Sequence, residues 1–204
     1  MKNIFIIVLF SFVASFSCAQ NFEQRILESL SKNRTPGMTH FMQGISNTTS
    51  YISVATPVTI FIIGAAQNNK QTKQKSYVIA GSLVVATVLT EGLKYIVNRA
   101  RPSTRDSLII PASDLGSPSF PSGHTSIAFS TATAISLAFP KWYVIAPSFL
   151  WAGTVGFSRM YLGVHYPSDV LAGAIVGSGS AWISYKINQW WQKKQTHKNL
   201  MMLN

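Results

Sequence analysis

Five apolar stretches separated by short polar segments dominate the chain from residue 48 onward. They cover residues 48–66, 77–97, 125–139, 144–157 and 170–185. The first two approach the ~20 residues that a membrane-spanning helix needs, and the other three come closer to it when their flanks are included. The pattern therefore predicts an all-α fold, a multi-pass transmembrane helical bundle with about five membrane helices.

The segment before these stretches, residues 21–47, has a mixed composition. Within it Phe22, Ile26, Leu27 and Leu30 recur at helical spacing. This spacing is typical of a short amphipathic helix that lies at the membrane surface. We therefore expect an N-terminal interfacial helix ahead of the bundle.

The first twenty residues have the pattern of a secretory signal peptide. Lys2 precedes an apolar stretch over residues 4–16, and Ser17 and Ala19 have the positions of the small residues before a cleavage site. We expect a signal peptide over residues 1–19. The alternative is an uncleaved first membrane helix.

Composition supports a membrane protein with one domain. Hydrophobic residues make up 47% of the chain and charged residues only 11%, whereas soluble domains have roughly 25% charged residues. No internal repeat or long linker divides residues 20–204, which we interpret as one domain. The single cysteine, Cys18, would leave with the signal peptide, so no disulfide is expected.

The net charge of +11 indicates an anionic partner. No nucleic-acid-binding motif accompanies the basic residues, so we expect an anionic lipid and no nucleic acid. Lysines concentrate between the first two apolar stretches and after the fifth, and the positive-inside rule assigns both segments to the cytoplasm. Threading the helices from there places residues 98–124 and 158–169 together on the periplasmic face of the bacterial inner membrane. The lysines are Lys70, Lys73, Lys75, Lys186, Lys193, Lys194 and Lys198.

Three polar clusters fall on that face, and their basic groups suit phosphate. Lys94, Arg101 and Arg159 offer positive charge and donors that match phosphate oxygens. Ser122 and Gly123 directly precede an apolar helix, so their backbone N–H groups can point at an anion. Ionisable groups near a membrane are costly and are normally retained for a function. We interpret these five residues as a phosphate-binding site.

Two histidines add chemistry to this site. His165 precedes Asp169 by four residues, so the carboxylate can fix the ring tautomer and leave the other nitrogen free as a nucleophile. His124 has no acid near it in sequence, which suits a proton donor. Few further acids or histidines are available for a metal. The predicted chemistry is phosphoryl transfer without metal or other cofactor.

Other charged residues receive no catalytic role. Arg99 and Arg105 are expected to face solvent or lipid headgroups. Glu91 lies one helical turn before Lys94, where the two could form an ion pair.

With these motifs the chain resembles the type 2 phosphatidic acid phosphatase superfamily, in its membrane lipid phosphatase branch. The family signature is Lys-x6-Arg-Pro, then Pro-Ser-Gly-His, then Ser-Arg-x5-His-x3-Asp, and residues 94–102, 121–124 and 158–169 match it at every defining position. The resemblance implies a helical core and metal-free hydrolysis through a phosphohistidine. It assigns the nucleophile to His165, the acid and base to His124, orientation to Asp169, and phosphate binding to Lys94, Arg101, Ser122, Gly123 and Arg159.

The sequence is compatible with two other hypotheses about function. The later apolar stretches are interrupted by Pro147 and by the glycines at 173, 177 and 179. These interruptions are also compatible with a soluble periplasmic acid phosphatase of the same superfamily. Such glycines equally suit close helix packing in a bilayer. A non-enzymatic phospholipid-binding membrane protein is disfavoured, because anion binding alone does not need two histidines. The substrate could be undecaprenyl diphosphate, phosphatidylglycerophosphate, phosphatidate or a lipid A phosphate, and the sequence does not set the oligomeric state.

Overall fold

The computed structural model describes residues 22–113 and 116–201, and this part of the chain is helical without any strand. The predicted signal peptide at residues 1–19 lies outside the described residues. The expected all-α bundle is confirmed. Its helices are α1 (22–32), α2 (Pro36–Ala66), α3 (Lys70–Val97), α4 (Pro102–Arg105), α5 (Gly123–Ala138), α6 (Trp142–Tyr161) and α7 (Pro167–Met201).

The long helices begin earlier than the apolar stretches predict, because polar caps set their N-termini. The Thr35 hydroxyl accepts a hydrogen bond from the Met38 N–H at the start of α2, and Pro36 occupies the first turn. The Asn69 side chain caps α3 in the same way, accepting from the Thr72 N–H at 3.0 Å. The polar residues of these first turns are therefore helical although they are not apolar.

The outer surface of the bundle is apolar, as a bilayer requires. Val54, Val58 and Ile62 form an exposed row on α2, and Val84 and Val88 do so on α3. Two described segments, α2 and residues 70–105, are long and apolar enough by length and composition to cross a membrane. The interior instead contains small polar side chains, which let helices approach closely in lipid. They include Ser46, Ser53, Ser82, Ser126, Ser130, Thr131 and Ser180.

Close packing of α7 on α5 depends on two glycines. A Cβ atom at Gly173 would lie 2.7 Å from the Ser122 carbonyl oxygen, and one at Gly177 would lie 2.1 Å from the Ser126 carbonyl oxygen. The predicted role of glycine in helix packing is confirmed at these positions. It is wrong at Gly179, where a Cβ atom would meet nothing within 4 Å.

The alternating helix directions bring the three polar clusters to one end of the bundle. At the opposite end, Lys75 of α3 lies over the ring of Phe139, 4.3 Å from its centroid, and Gln74 donates a hydrogen bond to Asn188 of α7. The end of α3, the start of α5, the end of α6 and the start of α7 therefore meet at the other end.

Candidate active site

Two left-handed turns direct the chain back over this end of the bundle. Asn98 ends α3 with φ of 44° while its N–H donates to the Lys94 carbonyl, and asparagine tolerates this conformation better than most residues. Gly163 follows α6 with φ of 71°, and a Cβ atom there would lie 2.6 Å from the Arg34 guanidinium. Both the left-handed backbone conformation and the lack of space for a Cβ atom therefore favour glycine at the turn that leads to His165.

His165 is 2% exposed, and its ring is oriented by a backbone carbonyl. The Nδ1 atom lies 2.8 Å from the Ser119 carbonyl oxygen, whereas the Asp169 Oδ2 atom is 3.6 Å away. Because a carbonyl only accepts, Nδ1 carries the proton and Nε2 keeps a free lone pair. The tautomer that the sequence predicts is thus held mainly by Ser119, with Asp169 beside it as a negative charge.

The environment keeps the His165 imidazole neutral at physiological pH. Burial lowers its pKa to about 4, and the positive charges of Arg101 and Arg159 act in the same direction. The Asp169 carboxylate opposes this shift but does not cancel it. A neutral ring with a free lone pair has the state that a nucleophile needs.

Asp169 is fully buried and has hydrogen bonds to both oxygens. Its Oδ1 atom accepts from Arg99 at 2.6 Å, and its Oδ2 atom accepts from the Ser119 hydroxyl at 2.5 Å and the Tyr166 N–H at 2.9 Å. Ser119 therefore contacts both members of the pair, since its carbonyl binds His165 and its hydroxyl binds Asp169. A buried carboxylate with this many donors is held ionised and fixed in position.

Arg99 lies inside this network, so the prediction that it faces solvent or headgroups is wrong. Besides Asp169, it donates to Glu23 at 2.8 Å and to the Ser168 hydroxyl at 2.7 Å. The Asn98 turn brings the side chain back toward α7. Arg105, by contrast, is exposed as predicted.

Glu23 connects α1 to the site, which the sequence did not indicate. One carboxylate oxygen accepts from Arg99, and the other accepts from the Ser168 N–H at 2.8 Å, in the first turn of α7. Buried Leu27 fixes α1 further by packing against Ile109 and Tyr166. Helix α1 is thus part of the support of the site.

Lys94 and Arg101 are held by the loop that precedes α5. The Lys94 Nζ atom donates to the Ser117 hydroxyl at 2.6 Å and to the Pro118 carbonyl at 3.1 Å. Arg101 donates to the Ser117 carbonyl at 2.8 Å and to the Val164 carbonyl at 2.9 Å. These neutral partners orient the two cations without neutralising them.

Arg159 completes a set of buried cations that lack counter-ions. It donates to the Ser46 hydroxyl at 2.6 Å, and its Nε atom is buried without a partner among the described residues. Lys94, Arg101 and Arg159 are 5%, 8% and 4% exposed, and within the described chain none forms an ion pair. Buried positive charges without carboxylate partners are costly unless an anion joins them.

The start of α5 differs in detail from the predicted backbone cradle. The Ser122 N–H donates to the Asp169 carbonyl at 3.0 Å, so this backbone donor is already used. The Ser122 hydroxyl accepts from Thr125 at 2.9 Å, and no side chain caps α5. A Cβ atom at Gly123 would meet only a Thr90 methyl group at 3.9 Å, so protein packing does not require glycine there.

His124 joins the same end of the bundle. It lies close enough to His165, Arg159, Lys94 and Arg101 to interact with their charges. The structure therefore brings together all the residues that the sequence proposed for the site. Among the described residues, no three acidic, histidine or cysteine side chains cluster as metal ligands.

Comparison with known proteins identifies the family. Residues 76–193 match the PAP2 superfamily. The chain is 34% identical over 123 residues to the lipid A 4'-phosphatase of Bacteroides thetaiotaomicron, covering 54% of this chain and 53% of the relative. It is 36% identical over 121 residues to the undecaprenyl-diphosphatase of Sulfolobus acidocaldarius, covering 57% of this chain and 55% of the relative.

The fold agrees with this similarity. The crystal structure of a transmembrane PAP2-type phosphatidylglycerolphosphate phosphatase from Bacillus subtilis superposes with a TM-score of 0.72 at 24% identity, covering 91% of this chain and 95% of that one. The chain spans about half the length of the curated relatives it matches. The family match covers more than half of the chain and includes all three motifs, so the protein belongs to the PAP2 superfamily.

Proposed function

We propose that this protein is a lipid phosphatase that transfers a phosphoryl group first to His165 and then to water. One observation carries the proposal. Lys94, Arg101 and Arg159 form a buried set of cations without counter-ions among the described residues, and a neutral imidazole lies beside them. Such a site attracts a phosphate dianion and presents a nucleophile to it.

In the first step the Nε2 lone pair of His165 attacks phosphorus and the bond to the leaving oxygen breaks. His124 donates its proton to that oxygen as it departs. The cations, the Ser122 hydroxyl and the open N-terminus of α5 at Gly123 bind the three phosphoryl oxygens, where charge redistributes in the transition state. Asp169 and the Ser119 carbonyl stabilise the ring as it becomes positively charged.

In the second step water replaces the lipid. His124, now neutral, accepts a proton from the water molecule, whose oxygen attacks phosphorus and breaks the bond to Nε2. Phosphate leaves, and both histidines return to their starting states. The protein side chains supply all the charge and proton transfers, so the proposed reaction needs no metal or other cofactor.

Membrane lipid is the proposed source of the phosphate. The apolar outer surface of α2 and α3 supports a bundle that lies in lipid, with the site at one end of it. Lysines at the opposite end favour the cytoplasm for that end. The site would then face the periplasm from the inner membrane. The similar proteins are named for lipid A 4'-phosphate and undecaprenyl diphosphate, and both remain candidate substrates beside phosphatidylglycerophosphate and phosphatidate.

Phosphate release by the protein purified in detergent tests this function. We expect release from a panel of these lipid phosphates with EDTA present, and loss of release in His124→Ala. Complete inhibition by EDTA would contradict the metal-free reaction. Hydrolysis of soluble phosphate esters but not of lipids would contradict the lipid substrate. Labelling of Ser107→Cys, an exposed position shortly after α4, by a membrane-impermeant maleimide in intact spheroplasts tests the periplasmic face, and protection from it would reject that orientation.

A further inference from the structure

A cleft beside the start of α5 is lined by Gly123 and His124 together with polar side chains of α2 and α3. It lies between α2, α3 and α5 and has a volume of about 220 Å³. This is less than the ~300 Å³ at which pockets begin to hold a drug-sized ligand, so it suits one headgroup unit. We name it the hydroxyl cleft, and its side chains used below are Thr49, Thr90, Glu91 and His124.

The position of His124 identifies what would occupy the hydroxyl cleft. In the proposed reaction His124 protonates the leaving oxygen, so it must lie within hydrogen-bonding reach of that oxygen. The part of the substrate attached to the oxygen then extends into the space that His124 lines. Because this assignment uses the role of His124, it rests on the proposed function.

The hydroxyl cleft contains a buried polar group without a partner. Thr49 is 2% exposed, and its hydroxyl makes no hydrogen bond within the described chain. The Thr90 hydroxyl donates to Ser126 at 2.8 Å, which leaves its lone pairs available. An unpaired buried hydroxyl is unfavourable, and a hydroxyl-bearing ligand would satisfy it.

The charge of the hydroxyl cleft disfavours a second phosphate. Glu91 is its charged residue, and no lysine or arginine lines it. The ion pair between Glu91 and Lys94 that the sequence allowed is absent from the described structure, since Lys94 instead donates to Ser117 and Pro118. A diphosphate substrate would place its second phosphate beside the Glu91 carboxylate, and like charges that lie side by side are unfavourable.

We infer that the unit of the substrate that bears the leaving oxygen is uncharged and hydroxylated, a sugar or a glycerol. The hydroxyl cleft then binds its hydroxyl groups through Thr49, Thr90 and Glu91. The enzyme therefore prefers phosphomonoesters on such units to lipid diphosphates.

Two dioctanoyl lipids provide a matched test. In phosphatidylglycerophosphate the leaving oxygen belongs to a glycerol unit, and in diacylglycerol pyrophosphate it belongs to a second phosphate. We expect kcat/KM to be at least about tenfold higher for phosphatidylglycerophosphate. Glu91→Gln should narrow this ratio by about fivefold, mainly by improving hydrolysis of the pyrophosphate, and Thr49→Val should lower kcat/KM for the glycerol substrate alone by about three- to tenfold.

Glu28→Gln is the control, because it makes the same change on α1, away from the hydroxyl cleft, and should leave the ratio unchanged. Preference for the pyrophosphate, or a ratio that Glu91→Gln does not alter, would overturn this inference and leave the phosphatase function intact. Hydrolysis of neither lipid would overturn the proposed function and the inference with it.

Discussion

The ring of His165 is held through Ser119, whose carbonyl oxygen lies 2.8 Å from Nδ1. The Ser119 hydroxyl lies 2.5 Å from the Asp169 carboxylate. One serine thus joins the proposed nucleophile to the acid that the sequence paired with it. The orientation of the His165 ring therefore depends on the Ser119 backbone as well as on the Asp169 side chain. This shared support predicts how a variant of Asp169 differs from a variant of His165.

Asp169→Asn should reduce kcat without abolishing it. The Ser119 carbonyl still holds the ring in the correct tautomer, but the negative charge that stabilises the charged imidazole is lost. We expect a decrease of about 10²- to 10³-fold, smaller than that of His165→Ala. Steady-state phosphate release from both variants makes the comparison. Equal losses would show that the carbonyl does not orient the ring.

Arg99→Gln should weaken both stability and catalysis. The change leaves the buried Asp169 and Glu23 carboxylates without their shared cation, which typically costs about 3–5 kcal/mol. We expect a lower midpoint of thermal unfolding in detergent together with reduced kcat. Arg105→Gln is the matched control, because Arg105 is exposed, and should leave both unchanged. If the two variants behave alike, the network around Asp169 has no energetic role.

The acid limb of kcat/KM should lie near pH 4. His165 must be neutral to attack, and its lowered pKa of about 4 keeps it neutral at higher pH. Activity is therefore retained above this pH and lost as the pH falls through it. The substrate phosphate also ionises, near pH ~6. A pH limb caused by that ionisation shifts from one substrate to another, whereas the limb caused by His165 does not. A substrate-independent limb near pH ~6.5, the value for a solvated histidine, would contradict the environment described for His165.

Gly177→Ala should destabilise the bundle, whereas Gly179→Ala should not. The new Cβ atom at 177 would lie 2.1 Å from the Ser126 carbonyl and would separate α7 from α5. We expect a loss of about 1–3 kcal/mol, seen as a lower unfolding midpoint. Alanine at 179 meets nothing within 4 Å and improves helix propensity. Similar midpoints for both variants would indicate that α7 does not pack as described.

Sequence patterns predicted the bundle and the site residues because each depends on local spacing. Apolar stretches identify the core of α2, α3, α5, α6 and α7, and the three motifs lie where those helices end. The helix boundaries were less predictable, since a cap such as Thr35 extends α2 through residues that are not apolar.

Contacts between distant segments could not be predicted from spacing. Glu23 and Arg99 are 76 residues apart, and only the fold shows that they meet beside Asp169. The contact between the Ser119 carbonyl and His165 was equally unpredictable, because the types of side chain in a sequence do not show which group a backbone carbonyl binds. One signal for the position of Arg99 was present in the sequence. Asn98 follows the apolar stretch directly, and an asparagine in the left-handed conformation at a helix end turns the chain back toward the bundle.

The central claim is that phosphorus becomes bonded to His165 during turnover. The most direct measurement is rapid-quench labelling with a ³²P-labelled lipid phosphate, comparing the wild-type protein with a His165→Ala variant that stays folded in detergent. We predict acid-labile, alkali-stable label on the wild-type protein within the first turnover, and no label and no phosphate release from the variant. Label on His165→Ala, or steady turnover by a wild-type protein that never acquires label, would contradict the claim.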